Sequence, residues 1–600
     1  MQHINLRWLA IPFCTLFAAL LIHSGALIRY TDTSIQKVPA SISGPRTELA
    51  DNYFYFTLLR HAPERFSNSP IDSLDSDGGD HRLINSISTS YAPALYFGYF
   101  IYRISAFITA NPREALLLTA IFHTWILAVS ITVLLSTFLN KKKIYGPILI
   151  FLLATFSMIG VDAFSLSAYY GFPYWNKSLL LNEPNSIRLI NPTLFWSAGL
   201  LAATYVIRWL RDRRNVDILV GAVITFVCCL FSISVGAALV GAIGLTTAIN
   251  YYKSRNMPWG LLMVFMAGFI GLAWTYLQLL DYAGSPLGQV LKHGVFISWS
   301  FKWQFLIFII FVPFIKRYLK EESVFVVSLL IVSIVIGSIC DSFNLGARLW
   351  LRGGAIFVWI IALFSLICLL DVIEKYINAI VKYFFKLIIT IGIVAYVINA
   401  QYRGPESWVG FIQKEKAELY DWMYKNIASN SIVASRDIED AFLIPIYTSS
   451  KSLFSSFGIT QRTLDQEMRR FFYAMKIYGI DQSMAEEINK IGENDLLNYY
   501  DHIFKNASPG RFLGEKEDAV IFWRNVIYAP YVDQFSKVLA GESRHAEFVA
   551  LINKRMLEGG SEKFEFQYAI LNSEAPRPVY FYGWVIVYAN RKYELLIRPD

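Results

Sequence analysis

The chain has 600 residues, 55% hydrophobic, 16% aromatic and only 17% charged, which excludes an ordinary soluble protein and implies a polytopic membrane protein. Its formal net charge of +8 is unevenly spread: residues 1–400 hold 30 Lys+Arg against 19 Asp+Glu, and residues 401–600 hold 24 against 27. A basic surplus confined to the membrane part is the mark of orientation by basic loops and excludes a nucleic-acid-binding tail.

The first element is one arginine, Arg7, followed by an apolar run over 8–28. No small-residue cleavage site follows it, so it reads as a retained signal anchor. Further runs long enough to span a bilayer lie near 114–139, 144–163, 192–210, 216–233, 235–251, 258–280, 301–316, 323–340, 354–371 and 384–400. The stretch 91–109 contains Pro93, Arg103 and several tyrosines and is ambiguous. Parity decides it. If 91–109 lies along the interface, every short basic cluster falls on the cytoplasmic side: Arg7, Lys141–Lys143, Arg208–Arg214, Lys253/Arg255, Lys316/Arg317/Lys320 and Lys375/Lys382/Lys386. If it crosses, all clusters after Arg7 move outside. The expectation is therefore about 11 spanning helices over residues 1–400, with 29–112, 164–191, 281–300 and the domain 401–600 outside. The cytoplasmic loops are short and carry no Walker A or Rossmann fingerprint, so chemistry belongs outside.

Within the first outer loop, Asp51-Asn52-Tyr53-Phe54-Tyr55-Phe56 opens a segment that reads as a short helix at the membrane surface. Asp51 at its start has two open readings: a helix N-cap, or a general base that takes a proton from an acceptor hydroxyl or amine. Further on, Asp72, Asp75, Asp77 and Asp80 stand among Gly78, Gly79 and His81. They read either as a solvated loop or as weak ligands, Asp75, Asp77 and Asp80 foremost, for a hard cation such as Ca²⁺, Mg²⁺ or Mn²⁺; the EF-hand pattern is not met. Arg188 and Asn191-Pro192 precede the fourth run, and Lys292 and His293 stand in the next long outer loop. A lone histidine such as His293 is more often a satisfied structural residue than a ligand. Arg348 and Arg352 are four apart, so a helix puts both on one face at the outer boundary. Arginines there either grip a phosphate bidentately or snorkel to lipid headgroups.

The five cysteines, Cys14, Cys228, Cys229, Cys340 and Cys368, all lie in or at the ends of apolar runs without a CxxC motif, and read as core packing. In the tail, 417–427 reads as an amphipathic helix, 431–435 as a strand, 463–505 as mostly helical, and 579–582, 584–588 and 593–597 as strands. A small α/β domain is expected. Asn176 and Asn506 head sequons that have meaning only in a eukaryotic secretory compartment.

An acidic residue in a long first outer loop, a surface helix beside it, a many-helix body and an outer C-terminal domain together resemble the GT-C glycosyltransferase superfamily. That group includes protein O-mannosyltransferases, oligosaccharyltransferases and lipid A aminoarabinose transferases. The likeness rests mostly on residues 1–210: Asp51 at the position of the catalytic acid, Tyr91-Ala92-Pro93-Ala94-Leu95-Tyr96 as the Pro-containing segment, and Arg188-Leu189-Ile190-Asn191-Pro192. Two departures stand out. Asn52 follows Asp51 where many members carry a second acid, and the Trp-Trp-Asp-Tyr-Gly signature of oligosaccharyltransferases is absent.

The resemblance implies an α-helical polytopic GT-C-like fold and inverting transfer from a polyprenyl-phosphate-linked sugar to a glycan, lipid or protein acceptor. Asp51 is then catalytic, and Arg348, Arg352 and Arg188 hold the donor phosphate. Tyr53, Tyr55, His81, Asn191 and His293 are candidates for the donor or acceptor pocket. The one candidate cofactor is a divalent cation, Mg²⁺ or Mn²⁺, held by the aspartates if any is bound. The partners are the lipid-linked donor, the acceptor and membrane lipids, with no nucleic acid. The lack of cysteine in 401–600 favours a bacterial inner membrane, with the N-terminus cytoplasmic and the C-terminal domain periplasmic. The rival readings are a flippase for a lipid-linked saccharide, which would show inverted repeats, and a non-catalytic envelope-assembly protein.

Overall fold

Apolar runs fold as helices in this chain because a backbone in hydrocarbon has to satisfy its own polar groups. In the computed structural model they are α1 Leu6–Ile22, α2 Phe97–Ile108, α3 Pro112–Leu139, α4 Gly146–Tyr170, α5 Thr193–Asp212, α6 Asn215–Phe231, α7 Ile233–Ser254 and α8 Trp259–Asp281. A 3-10 helix, Trp303–Phe311, then runs into α9 Val312–Tyr318, and α10 Ser323–Ser338 and α11 Ala355–Ile373 complete the helical body. The structure describes residues 6–24, 37–39, 97–109, 111–139, 146–170, 193–281, 298–299, 302–340, 349–373, most of 411–454, parts of 469–479, and 563–599, with a few isolated positions. Among these, Glu114–Leu139, Thr193–Asp212, Ile233–Ser254, Trp259–Leu277 and Trp350–Leu369 are long and apolar enough to cross a membrane. Ala10–Ile22, Phe97–Ile108, Leu149–Met158, Asn215–Phe231 and Ser323–Ser338 are apolar but shorter. Most of the run at 384–400 lies outside the described residues.

The segment expected to cross at 301–316 takes a form that hydropathy does not reveal. Nine residues are 3-10 and seven are α. At about 2.0 Å and about 1.5 Å per residue they reach about 28 Å, close to the hydrocarbon thickness of about 30 Å. The sequence favours that geometry. Phe305, Phe308 and Phe311 recur every third residue, and side chains three apart eclipse in a 3-10 turn. Their rings stack at centroid separations of 6.0 and 6.2 Å.

Helix contacts are made by small residues and by indole donors. A Cβ on Gly271 of α8 would stand 2.9 Å from the Phe226 carbonyl of α6, and one on Gly236 of α7 would stand 2.9 Å from the Cys229 sulfur. Such small residues let helix backbones approach closely in a membrane. The Thr275 hydroxyl donates to the Cys229 carbonyl at 3.1 Å. Cys14, Cys228, Cys229 and Cys368 form no disulfide, and the last three are buried. The opposite side of α8 turns Trp259, Met266, Phe269, Ile270, Trp274 and Leu277 outward. So large an apolar face suits hydrocarbon and not water. On α1, Pro12 interrupts the helical hydrogen bonding, and Trp125 of α3 donates its indole N–H to the Pro12 carbonyl at 2.9 Å. Helix α2 is about 18 Å long, short of the hydrocarbon core. It buries Ile101, Tyr102 and Ser105 and turns Phe100 and Phe107 outward, the latter 94% exposed.

One end of the bundle gathers basic chain reversals. Arg211, in the last turn of α5, pairs with Glu322 ahead of α10 and donates to the Thr137 carbonyl of α3 at 2.8 Å. Arg213 pairs with Glu321 at 3.3 Å. The Trp209 ring lies against Gly260 at the start of α8. The C-terminal end of α3, the α5–α6 turn, the start of α8 and the α9–α10 turn therefore share one face.

The C-terminal part forms a five-stranded sheet in the order β6-β5-β7-β9-β8, from β5 Ile432–Ala434, β6 Lys451–Ser452, β7 Tyr568–Asn572, β8 Val585–Ala589 and β9 Tyr593–Ile597. Strand β5 is parallel to β6 and β7, and α13 Ile438–Tyr447 supplies the crossover from β5 to β6. Strands β7, β9 and β8 are antiparallel. Helix α12, Lys414–Asn426, buries Lys416, Ala417, Tyr420 and Met423, the helical period expected of 417–427. The strands expected at 431–435, 584–588 and 593–597 correspond to β5, β8 and β9. Residues 579–582 are a correction. Val579–Phe581 is a 3-10 turn, not a strand. It is bracketed by Pro578, which cannot donate to a strand ladder, and by Gly583 at φ +85°. Most of 463–505 lies outside the described residues.

Two short ribbons join distant parts of the chain. β2, Ser298–Trp299, pairs antiparallel with β3, Ile339–Cys340. β1, Lys37–Pro39, pairs antiparallel with β4, Phe411–Gln413, so the first loop and the entrance to the C-terminal domain share a side. Val38 and Ile412 are Cα partners. Directly opposed antiparallel residues have Cα atoms about 4.5–5.5 Å apart, within disulfide range. V38C/I412C is therefore expected to cross-link under mild oxidation, seen as a non-reducing gel shift, while V38C paired with a cysteine at Glu418 is not. Failure of the in-register pair would refute the ribbon.

Candidate functional site

The site is built around a five-residue turn, Trp350-Leu351-Arg352-Gly353-Gly354, that opens α11. It is π-helical, with the Ala355 N–H donating back to the Trp350 carbonyl. Isolated π turns are uncommon and gather at functional positions. They persist only where the surroundings over-determine them.

Contacts from five neighbouring elements hold this one. The Trp350 ring is fully buried, stacked on Phe305 at 4.3 Å and on Phe308 at 6.0 Å. Its N–H donates to the Ser165 carbonyl of α4 at 2.9 Å. Gly337 of α10 leaves the slot for this ring, since a Cβ there would meet Trp350 Cε3 at 2.9 Å. The Trp196 indole, fully buried in the first turn of α5, donates to the Arg352 carbonyl at 3.1 Å. Gly353 lies against α7, where a Cβ would stand 2.4 Å from the Ser234 carbonyl, and Gly354 lies against Ser333 of α10 at 3.0 Å. The adjacent glycines are thus explained by close backbone approach and not by an unusual φ. α4, α5, α7, α10 and the 3-10 helix all converge on five residues.

Arg352 is half-buried and is the one charged residue of the turn. Its position along the bundle follows from the helices. Trp196 stands fifteen residues before Arg211 on α5, about 22 Å along the axis from the basic end. Phe305 likewise lies at the start of the 3-10 and α9 path that descends to Glu322. The start of α3 also lies far from the basic end. Glu114, which accepts a hydrogen bond from Thr109 beside the start of α3, is about 34 Å along that helix from Thr137.

Of the candidate site residues, Arg352 alone lies among the described residues. Asp51, Tyr53, Tyr55, Asp75, Asp77, Asp80, His81, Arg188, Asn191, His293 and Arg348 lie outside them. Among the described residues no group of three or more His, Cys, Asp or Glu is placed to hold a metal ion. Sequence reading passed over Trp196, Trp350 and the glycine pair. The available signal was the run Trp-Leu-Arg-Gly-Gly, two adjacent glycines beside a charge at the head of an apolar helix.

No family model and no curated protein matches the chain. Among solved structures, the oligosaccharyltransferase of Archaeoglobus fulgidus, crystallised with a disulfide-tethered acceptor peptide containing the NVT sequon, is similar to it at 12% sequence identity and a TM-score of 0.39. The match covers 76% of this chain and 64% of that one, so the chain spans about two-thirds or less of the length of that structure.

Proposed function

We propose that this protein is an integral-membrane glycosyltransferase of GT-C type. It transfers a sugar from a polyprenyl-phosphate-linked donor to an acceptor on the membrane face opposite its basic loops. The acceptor hydroxyl or amine attacks the anomeric carbon, Asp51 takes its proton, and the C–O bond to phosphate breaks. Arg352, with Arg348 and Arg188, stabilises the charge that develops on the departing polyprenyl phosphate. Asp75, Asp77 and Asp80 are the residues that would bind a cation if transfer depends on one.

The observation that carries this reading is the Arg352 turn. A half-buried guanidinium stands at the end of an apolar bundle remote from its basic reversals, on a backbone fixed by five neighbouring elements. Ionisable groups so placed in membrane helices are costly and mark ligand sites. The apolar outward face of α8 and the shared side of the first loop and the C-terminal domain, through β1 and β4, support the same layout.

The test is transfer from a labelled polyprenyl-phosphate sugar in proteoliposomes, with native membrane extract as acceptor. Wild type is expected to move label into product. R352A is expected to raise the KM for the donor about 10–100-fold, the worth of a hydrogen bond to a charged group. Labelled lipid crossing the bilayer without product would replace this reading with the flippase.

A further inference from the structure

We infer that Trp196 is a positioning residue for donor binding, acting through the backbone of Arg352; this rests on the reading of Arg352 as a donor-phosphate ligand. A π turn widens the helix and opens its carbonyls to donors from outside. Here the Arg352 carbonyl takes the Trp196 indole N–H at 3.1 Å. Nothing else is asked of that N–H, and the ring around it is fully buried, so its direction is fixed by packing.

The rest of the turn has no freedom to compensate. Trp350 is clamped between Gly337 and the Phe305 and Phe308 rings, and its own N–H is used on Ser165. Leu351 packs on the core, and Gly353 and Gly354 have no side chain. Trp350, Leu351, Gly353 and Gly354 are all held by packing. The Trp196 contact is a hydrogen bond from a neighbouring helix aimed at the peptide that carries the arginine. A rotation of that peptide swings the guanidinium at the end of its long side chain. The indole therefore controls where the charge stands while lying on the adjacent helix.

The test is a double-mutant cycle on the full-length protein in proteoliposomes, reading donor KM and kcat. W196F keeps an aromatic ring, smaller than the indole, and removes the N–H. It is expected to raise donor KM about three- to tenfold with kcat within about twofold. In an R352A background the same change is expected to leave KM unaltered, because the group it positions is gone. A purely structural role would lower active protein, hence apparent kcat, equally in both backgrounds. G353A, which drives a methyl toward the Ser234 carbonyl, displaces the same peptide from the other side and is expected to raise KM in the same way. It carries the test if W196F does not fold.

If R352A leaves donor KM unchanged, the arginine is not a donor ligand and the functional reading itself fails. If R352A raises KM but W196F and G353A do not, or if they raise it equally without Arg352, the positioning role is wrong and the functional reading stands.

Discussion

Replacing Asp440 with alanine is expected to destabilise the C-terminal domain by about 3–5 kcal/mol, the usual cost of removing one member of a buried ion pair. Asp440 and Lys416 are both nearly inaccessible, 1% and 2% exposed, with Lys416 Nζ 2.7 Å from Asp440 Oδ1. The carboxylate also accepts from the Tyr420 hydroxyl at 2.5 Å and from Ser435 on its other oxygen. Tyr478 donates to the carbonyls of Ala434 and Ile570, both at 2.9 Å, bridging β5 and β7. Burial, with Asp440 nearby, holds its phenol well above the usual range and so neutral.

Without Asp440, the buried Lys416 ammonium loses this carboxylate, and the Tyr420 and Ser435 hydroxyls lose it as acceptor. Leaving a buried ammonium without its hydrogen-bonded carboxylate is costly. The measurement is hydrogen exchange of the full chain over β5 and β7, which reads the opening free energy of the domain. The variant K416M/D440L is expected to recover most of the loss, because it removes both charges together. A loss below about 1 kcal/mol in D440A would mean that the pair is solvated.

The other large effect concerns catalysis. Asp51→Asn is expected to lower kcat about 10²- to 10⁴-fold, the range of a general base, with donor KM and folding unchanged. Asparagine keeps the shape and the hydrogen-bond acceptor, so a helix cap survives the change while a base does not. The two readings of Asp51 thus separate in one substitution. The pattern is the converse of R352A, where KM carries the loss. Transfer by D51N within about threefold of wild type would remove Asp51 from the mechanism and leave it as a cap.

Hydropathy and basic clusters located the helical body, because burial in hydrocarbon is a property each segment carries alone. The same holds for β9, which the apolar stretch Tyr593–Ile597 announced as a strand. The buried Lys416 and Asp440 were unreadable as a pair, since they lie on separate helices and each resembles an ordinary surface charge. Arg352 was visible as a charge at an apolar boundary, but the expectation of a plain α-helix there missed the π turn. That turn exists because Gly353 meets the Ser234 carbonyl, Trp350 fills the slot beside Gly337, and Trp196 reaches across from α5. The pairing of β1 with β4 joins residues nearly four hundred positions apart, through backbone groups that every sequence possesses. By itself the sequence determined which segments leave water and where charge stands along them. Tertiary structure alone decided the turns and pairings, because these depend on the shape of a partner surface supplied by distant chain.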